Sequence, residues 1–142
     1  MVSIVMPTFN DELFIKDAVS ALLNQNYSDY EVIVVNDGSS DSTGDILRQF
    51  NDKKLTVITN VRNLGIPASR NVGIDNCTGE FIFITDSDCI VDGNWIRNGL
   101  ESFEDKETIG VEGKVIYYKA DHEPTFSDML PGGISNDFQF VY

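Results

Sequence analysis

Phe81-Ile82-Phe83-Ile84-Thr85-Asp86-Ser87-Asp88 is an unbroken apolar run that stops abruptly on two carboxylates one residue apart. Consecutive large apolar residues without alternation suit a strand covered on both faces, as in a parallel sheet. Glu80 to Thr85 is accordingly predicted as a strand, with the acid pair projecting from its carboxyl end. Carboxylates this close repel each other unless a cation lies between them. The economical resident is a hard divalent ion, which prefers oxygen ligands and is commonly shared with phosphates. An Asp-x-Asp spacing is weak evidence by itself, so its weight depends on the rest of the chain.

Outward from this run, three more segments read as strands: Val2 to Met6, Glu31 to Asn36 and Leu55 to Thr59. All are near-continuously apolar, which predicts parallel strands covered on both faces. Helical patterns lie between them. Ile15, Ala18, Val19, Leu22 and Leu23 form one apolar stripe, with Asn10 or Asp11 available to cap its start. Ser42 to Phe50 is a shorter helix, Pro67 opens a third that runs to about Asn76, and Trp95 to Phe103 makes a fourth. A fifth strand is predicted over Gly110 to Tyr118. Strands alternating with helices imply right-handed crossovers and a three-layer α/β/α sandwich around a mainly parallel sheet.

Composition bounds the function. The 142 residues are 42% apolar, enough for a folded domain, and no stretch approaches the roughly 18 apolar residues of a membrane span. The net charge of −13 argues against a nucleic-acid groove, which needs an electropositive surface. A small phosphorylated ligand stays allowed, because a bound cation can reverse the local field. Cys77 and Cys89 lack Cys-x-x-Cys spacing and read as free thiols. With His122 the only histidine, a histidine-rich metal site is excluded. Met1 leads directly into strand sequence with no signal peptide, so a cytosolic N-terminus is expected.

In open α/β sheets, ligands bind beyond the carboxyl ends of the strands. Each predicted strand up to Thr85 ends there in a polar cluster: Pro7-Thr8-Phe9-Asn10, Asn36 to Ser42, Asn60 to Gly65, and Asp86-Ser87-Asp88. One polar loop is ordinary; their convergence on one edge is not. A nucleoside diphosphate would use these parts directly. Asp37 could accept from a base N–H and Phe9 could stack on the base. Arg70 could pair with phosphate, and Asp88, through a metal, could neutralise a leaving diphosphate.

The runs Ser3 to Asn10, Glu31 to Thr43, Asn63 to Gly73, Gly79-Glu80-Phe81 and Asp86-Ser87-Asp88 together resemble the opening of a family 2 glycosyltransferase, in order and spacing, over residues 2–118. The resemblance implies a GT-A fold, a nucleotide-sugar donor (a UDP-sugar first), an acceptor hydroxyl on a glycan or glycolipid, and inverting transfer. It implies a donor-binding role for Pro7, Thr8, Phe9, Asp37, Arg70, Asp86 and Ser87, and a Mg²⁺ or Mn²⁺ ligand in Asp88. Residues 1–118 then form the donor domain and 119–142 the start of an acceptor-side region. The setting it implies is surface polysaccharide synthesis in the cytoplasm, peripherally at the inner face of the membrane.

The chain departs from the family in lacking a recognisable downstream catalytic carboxylate. Asp121, Glu123, Asp128 and Asp137 are acids with no motif to select one, so the base is expected beyond Tyr142. The alternative is a nucleotide-sugar-binding fragment without turnover. A sugar-phosphate nucleotidyltransferase is disfavoured, because Thr8-Phe9-Asn10-Asp11 is not a glycine- and arginine-rich phosphate loop. The apolar ending Phe138 to Tyr142 has no partner in the sequence, which predicts a truncated fold and self-association.

Overall fold

The structure, a computed structural model, describes residues 1–104, 107–113 and 140–141. The elements are β1 (Val2–Thr8), α1 (Ile15–Leu23), β2 (Tyr30–Asn36), α2 (Thr43–Leu47), β3 (Leu55–Thr59), α3 (Ile66–Ile74), β4 (Phe81–Ile84), α4 (Trp95–Glu101), β5 (Val111–Glu112) and β6 (Phe140–Val141). They build one sheet in the order β3-β2-β1-β4-β6-β5. β1 pairs in parallel with both β2 and β4, and β2 with β3. The short β6 runs antiparallel to β4 and β5.

Three layers are present, as the periodicity predicts. Val2, Ile4 and Met6 of β1, Val32 and Val34 of β2 and Phe83 of β4 point to one face. They meet Ile15, Ala18, Val19 and Leu22 of α1, Leu47 of α2 and Ile96 of α4. Trp95 stands edge-on to the Phe83 ring at 5.0 Å. The opposite face, with Val5 and Val35, carries α3. A Cβ on Gly73 would lie 2.3 Å from Val5 Cγ1 and 3.4 Å from Val35 Cγ2, so the missing side chain sets how closely α3 approaches the sheet.

Several boundaries differ from expectation for identifiable reasons. α2 stops at Leu47 because Gln49 and Phe50 donate to carbonyls three residues back, tightening the last turn. Turns of the same kind at Asn76, Cys77, Ser102 and Phe103 end α3 at Ile74 and α4 at Glu101. Neither Asn10 nor Asp11 caps α1, whose start has no side-chain cap. β3 is not covered on both faces: Val57 is 39% exposed, since β3 is an edge strand beside a short helix. Among the described residues β5 is only Val111–Glu112, and 114–118 lie outside them. The ending also differs from expectation. Val141 pairs with Phe83 and Val111, and Phe140 with Glu112, so this part of the terminal run has a backbone partner inside the sheet.

β1 outlasts β4. Their register ends at Val5↔Ile84, with Thr85 N–H donating to the Val5 carbonyl at 3.2 Å, while β1 continues beside β2 to Thr8↔Asn36. Pro7, which has no N–H, therefore falls where β1 has already parted from β4, and it costs the ladder nothing. At this point the strand order also reverses direction, with β2 and β3 on one side and β4 on the other. That is the topological switch point where open α/β sheets bind ligands.

Candidate functional site

The parting of β1 and β4 opens a cleft of about 300 Å³, lined by Pro7, Thr8, Phe9, Asp11, Asp37, Ile66, Asp86, Ser87 and Asp88. Every sequence-predicted site residue lines it except Arg70, which reaches it through Asp86. The size is at the lower end of the roughly 300–1,000 Å³ range of ligand clefts.

Phe9 is 43% exposed, so its ring is a free face and not a core residue. Asp37 is the opposite, at 3% exposed. Its Oδ1 accepts from Asn60 Nδ2 at 2.7 Å and Leu64 N–H at 2.9 Å, and its Oδ2 from Gly65 N–H at 2.8 Å. Burial opposes its ionisation, but the hydrogen bonds from Asn60, Leu64 and Gly65, with the Ser69 hydroxyl close by, together outweigh that and hold the carboxyl below its ordinary value. An ionised carboxylate has about four acceptor sites, so roughly one is left. Gly38, at φ +70°, is needed beside it: a Cβ there would lie 2.8 Å from the Arg62 carbonyl carbon.

At the other wall, Asp86 and Asp88 are exposed and Ser87 is buried between them. Arg70 Nη2 donates to Asp86 Oδ1 at 2.6 Å, so the arginine expected on a phosphate is held by a carboxylate. Its Nε is buried and makes no hydrogen bond. Cys77 and Cys89 are free thiols, as expected. Burial first, then the charges of Asp88 and Asp86, push the Cys89 thiol up to about 11, so it is neither a ready nucleophile nor a thiolate ligand at neutral pH. Among the described residues no group of three or more histidine, cysteine or acidic side chains could hold a metal alone. Asp86 and Asp88 do fit a hard cation whose remaining ligands are waters and phosphate oxygens, the mode Mg²⁺ favours.

Sequence reasoning missed Asp11 and Ile66. Asp11 reads as a helix cap, yet its Oδ2 accepts from Thr8 Oγ1 at 3.0 Å, from Phe9 N–H at 3.3 Å and from Ser87 Oγ. The signal was present: a carboxylate three residues after a hydroxyl closes a local turn as readily as it caps a helix. Ile66 left no such signal, since an exposed apolar residue before proline is unremarkable. Asn10, at φ 56°, ties its loop to the next one by accepting from Ser40 N–H at 2.8 Å.

Comparison with known proteins bears on the family and the fold. A model of the family described as Glycosyl transferase family 2 matches residues 3–139. The chain is 38% identical over 101 residues to the Escherichia coli UDP-Glc:alpha-D-GlcNAc-diphosphoundecaprenol beta-1,3-glucosyltransferase WfgD, covering 71% of this chain and 38% of the relative. It superposes on S. aureus TarS 1-349 in complex with UDP-GlcNAc with a TM-score of 0.76 at 26% identity, over 87% of this chain and 37% of that one. The mannosyltransferase PcManGT from Pyrobaculum calidifontis, in complex with GDP-Man and Mn2+, gives 0.75 at 25% identity, over 82% and 35%. The chain thus spans under two fifths of the length of each of these proteins.

Proposed function

The chain belongs to glycosyl transferase family 2, and from that premise we propose that it binds a nucleotide-sugar donor, first of all a UDP-sugar, in the cleft between β1 and β4. In this reading residues 1–118 are the donor domain of an inverting, metal-dependent transferase, and 119–142 begin its acceptor side. The observation that carries it is the convergence of an exposed ring, a buried acceptor carboxylate and an acid pair on one cleft. Phe9 stacks on the base beside Pro7 and Thr8, and Asp37 accepts a base N–H at its remaining site. Asp86 and Ser87 lie along the ribose and sugar-phosphate side, and Arg70, paired with Asp86, supplies the positive charge behind it.

Asp11, Asp37, Asp86 and Asp88 make the cleft acidic, so a diphosphate needs a cation to enter it. Asp88 is the residue to hold Mg²⁺ or Mn²⁺, which when bound stabilises the leaving diphosphate. The acceptor is a glycan or glycolipid hydroxyl. The WfgD relative, named for a diphosphoundecaprenol-linked substrate, supports surface-polysaccharide synthesis at the cytoplasmic face of the membrane. No helix among the described residues is long and apolar enough to cross a membrane.

Calorimetry with UDP in Mn²⁺ and in EDTA tests the reading, with Asp88→Asn in parallel. Binding should weaken about tenfold or more in EDTA, and the variant should bind no better with metal than the parent does without. Equal affinity in EDTA removes the metal role, and no UDP binding in either condition overturns the donor site. Asp121, Glu123, Asp128 and Asp137 lie outside the described residues. A positioned base typically contributes about 10²–10⁴-fold, so binding with very slow transfer by residues 1–142 is the expected outcome. Rapid, acceptor-dependent transfer would return the search for the base to those four acids.

A further inference from the structure

Asp11 Oδ2 receives Thr8 Oγ1, Phe9 N–H and Ser87 Oγ, and these groups come from two strand ends that share no ladder bond there. An ionised carboxylate only accepts, so both hydroxyls must be the donors. Each hydroxyl has one proton, and Asp11 takes both. Thr8 and Ser87 line the cleft and are 3% and 7% exposed, so what they still offer a ligand is lone pairs. The Thr8 and Ser87 hydroxyls therefore face the cleft as acceptors. Oriented this way they suit ligand O–H and N–H groups and offer phosphate oxygens no hydroxyl donor.

We infer that Asp11 is a positioning residue that sets the hydrogen-bond polarity of the cleft, turning Thr8 and Ser87 into acceptors that select the hydroxyl-bearing part of the ligand. This rests on the donor-site reading proposed above. It assigns the Thr8–Ser87 wall to donor hydroxyls and leaves the diphosphate to Arg70 and the cation at Asp88. The fold does not depend on the Asp11 side chain alone. Its backbone N–H donates to Thr43 Oγ1 at 2.9 Å and its carbonyl accepts from Phe14 and Ile15, contacts that truncating the side chain leaves in place.

Two measurements test it. In NMR spectra of the ligand-free chain, the Thr8 and Ser87 hydroxyl protons should be protected from exchange, and both signals should vanish in Asp11→Ala while Tm shows the variant folded. Rapid exchange in the parent overturns the inference without touching the donor reading. In Mn²⁺, 2′-deoxy- or 3′-deoxy-UDP should bind the parent about three- to tenfold more weakly than UDP, the value of one net hydrogen bond. That ratio should fall in Asp11→Ala, where the freed hydroxyls are no longer held as acceptors, and Asp11→Glu should partly restore it. A merely structural role would lower affinity for UDP and its deoxy analogues alike, and an unchanged ratio overturns the inference. If the parent binds no UDP, the donor reading falls and this inference falls with it.

Discussion

Asp37 has one carboxylate for two tasks. It holds the Asn60–Gly65 loop through three hydrogen bonds and has about one acceptor site left for a ligand. Asp37→Asn should therefore cost stability as well as base discrimination, about 1–3 kcal/mol in urea unfolding, because an amide NH₂ would face backbone N–H donors. Glu31 is a second such residue at the far end of the sheet. It accepts from Ser3 Oγ at 2.6 Å and from Thr78 N–H and Oγ1 at 2.8 Å. Burial opposes ionisation of both acids and the hydrogen bonds outweigh it, so both titrate below their ordinary values of 3.8 and 4.5. The unfolded chain then binds protons more readily than the folded one. The stability they contribute is full above those ordinary values and is lost as pH falls through the depressed folded ones. Urea midpoints between pH 7 and pH 3 should show an acid decline that Glu31→Gln and Asp37→Asn each flatten.

At the scale of elements, α3 is the piece that aims Arg70 at Asp86. Its approach to the sheet is set by Gly73 against Val5, where an added Cβ would lie 2.3 Å from Cγ1. Gly73→Ala should destabilise the fold by about 1–3 kcal/mol, the usual cost of overpacking. Val5→Ala opens the space that the new methyl needs, so the double variant should be more stable than the sum of the single changes. Urea unfolding of the four proteins in the cycle reads this coupling. Additive effects would mean that α3 is held elsewhere. The apolar stripe of α1 was legible because Ile15, Ala18, Val19 and Leu22 are all buried on one face. The exposure of β3 was not, because an edge strand and a central one can share the same Leu-Thr-Val-Ile-Thr composition.

Across the whole molecule, the sheet closes its far side with β6, inserted between β4 and β5. The terminal apolar run predicts association through an exposed tail, and trimming near Ala120 would then relieve it. With Phe140–Val141 in the sheet the sign reverses. Removing residues after 120 strips β4 of its neighbour and exposes its backbone edge, and open edges recruit other chains. Light scattering and thermal melting should show the trimmed chain more associated and less stable than the full 142 residues. A trimmed chain that is equally stable and less associated would restore the exposed-tail reading.

The order of elements from β1 to α4, the layers and the edge of the sheet where the cleft opens were all legible before any fold was in view. Those follow from local periodicity and from where each apolar run stops. The sequence also brought out Thr8, Phe9, Asp37, Asp86, Ser87 and Asp88, because polar residues just past a parallel strand have few places to go. Which of them share one wall, and what each is bonded to, emerges from the packed fold alone. Asp11 meets Ser87 across 76 positions of chain, and Arg70 turns to Asp86 instead of to open solvent. Such pairings depend on how far β1 and β4 run together before they part. That length is set by packing and register between strands distant in sequence, and no local pattern records it.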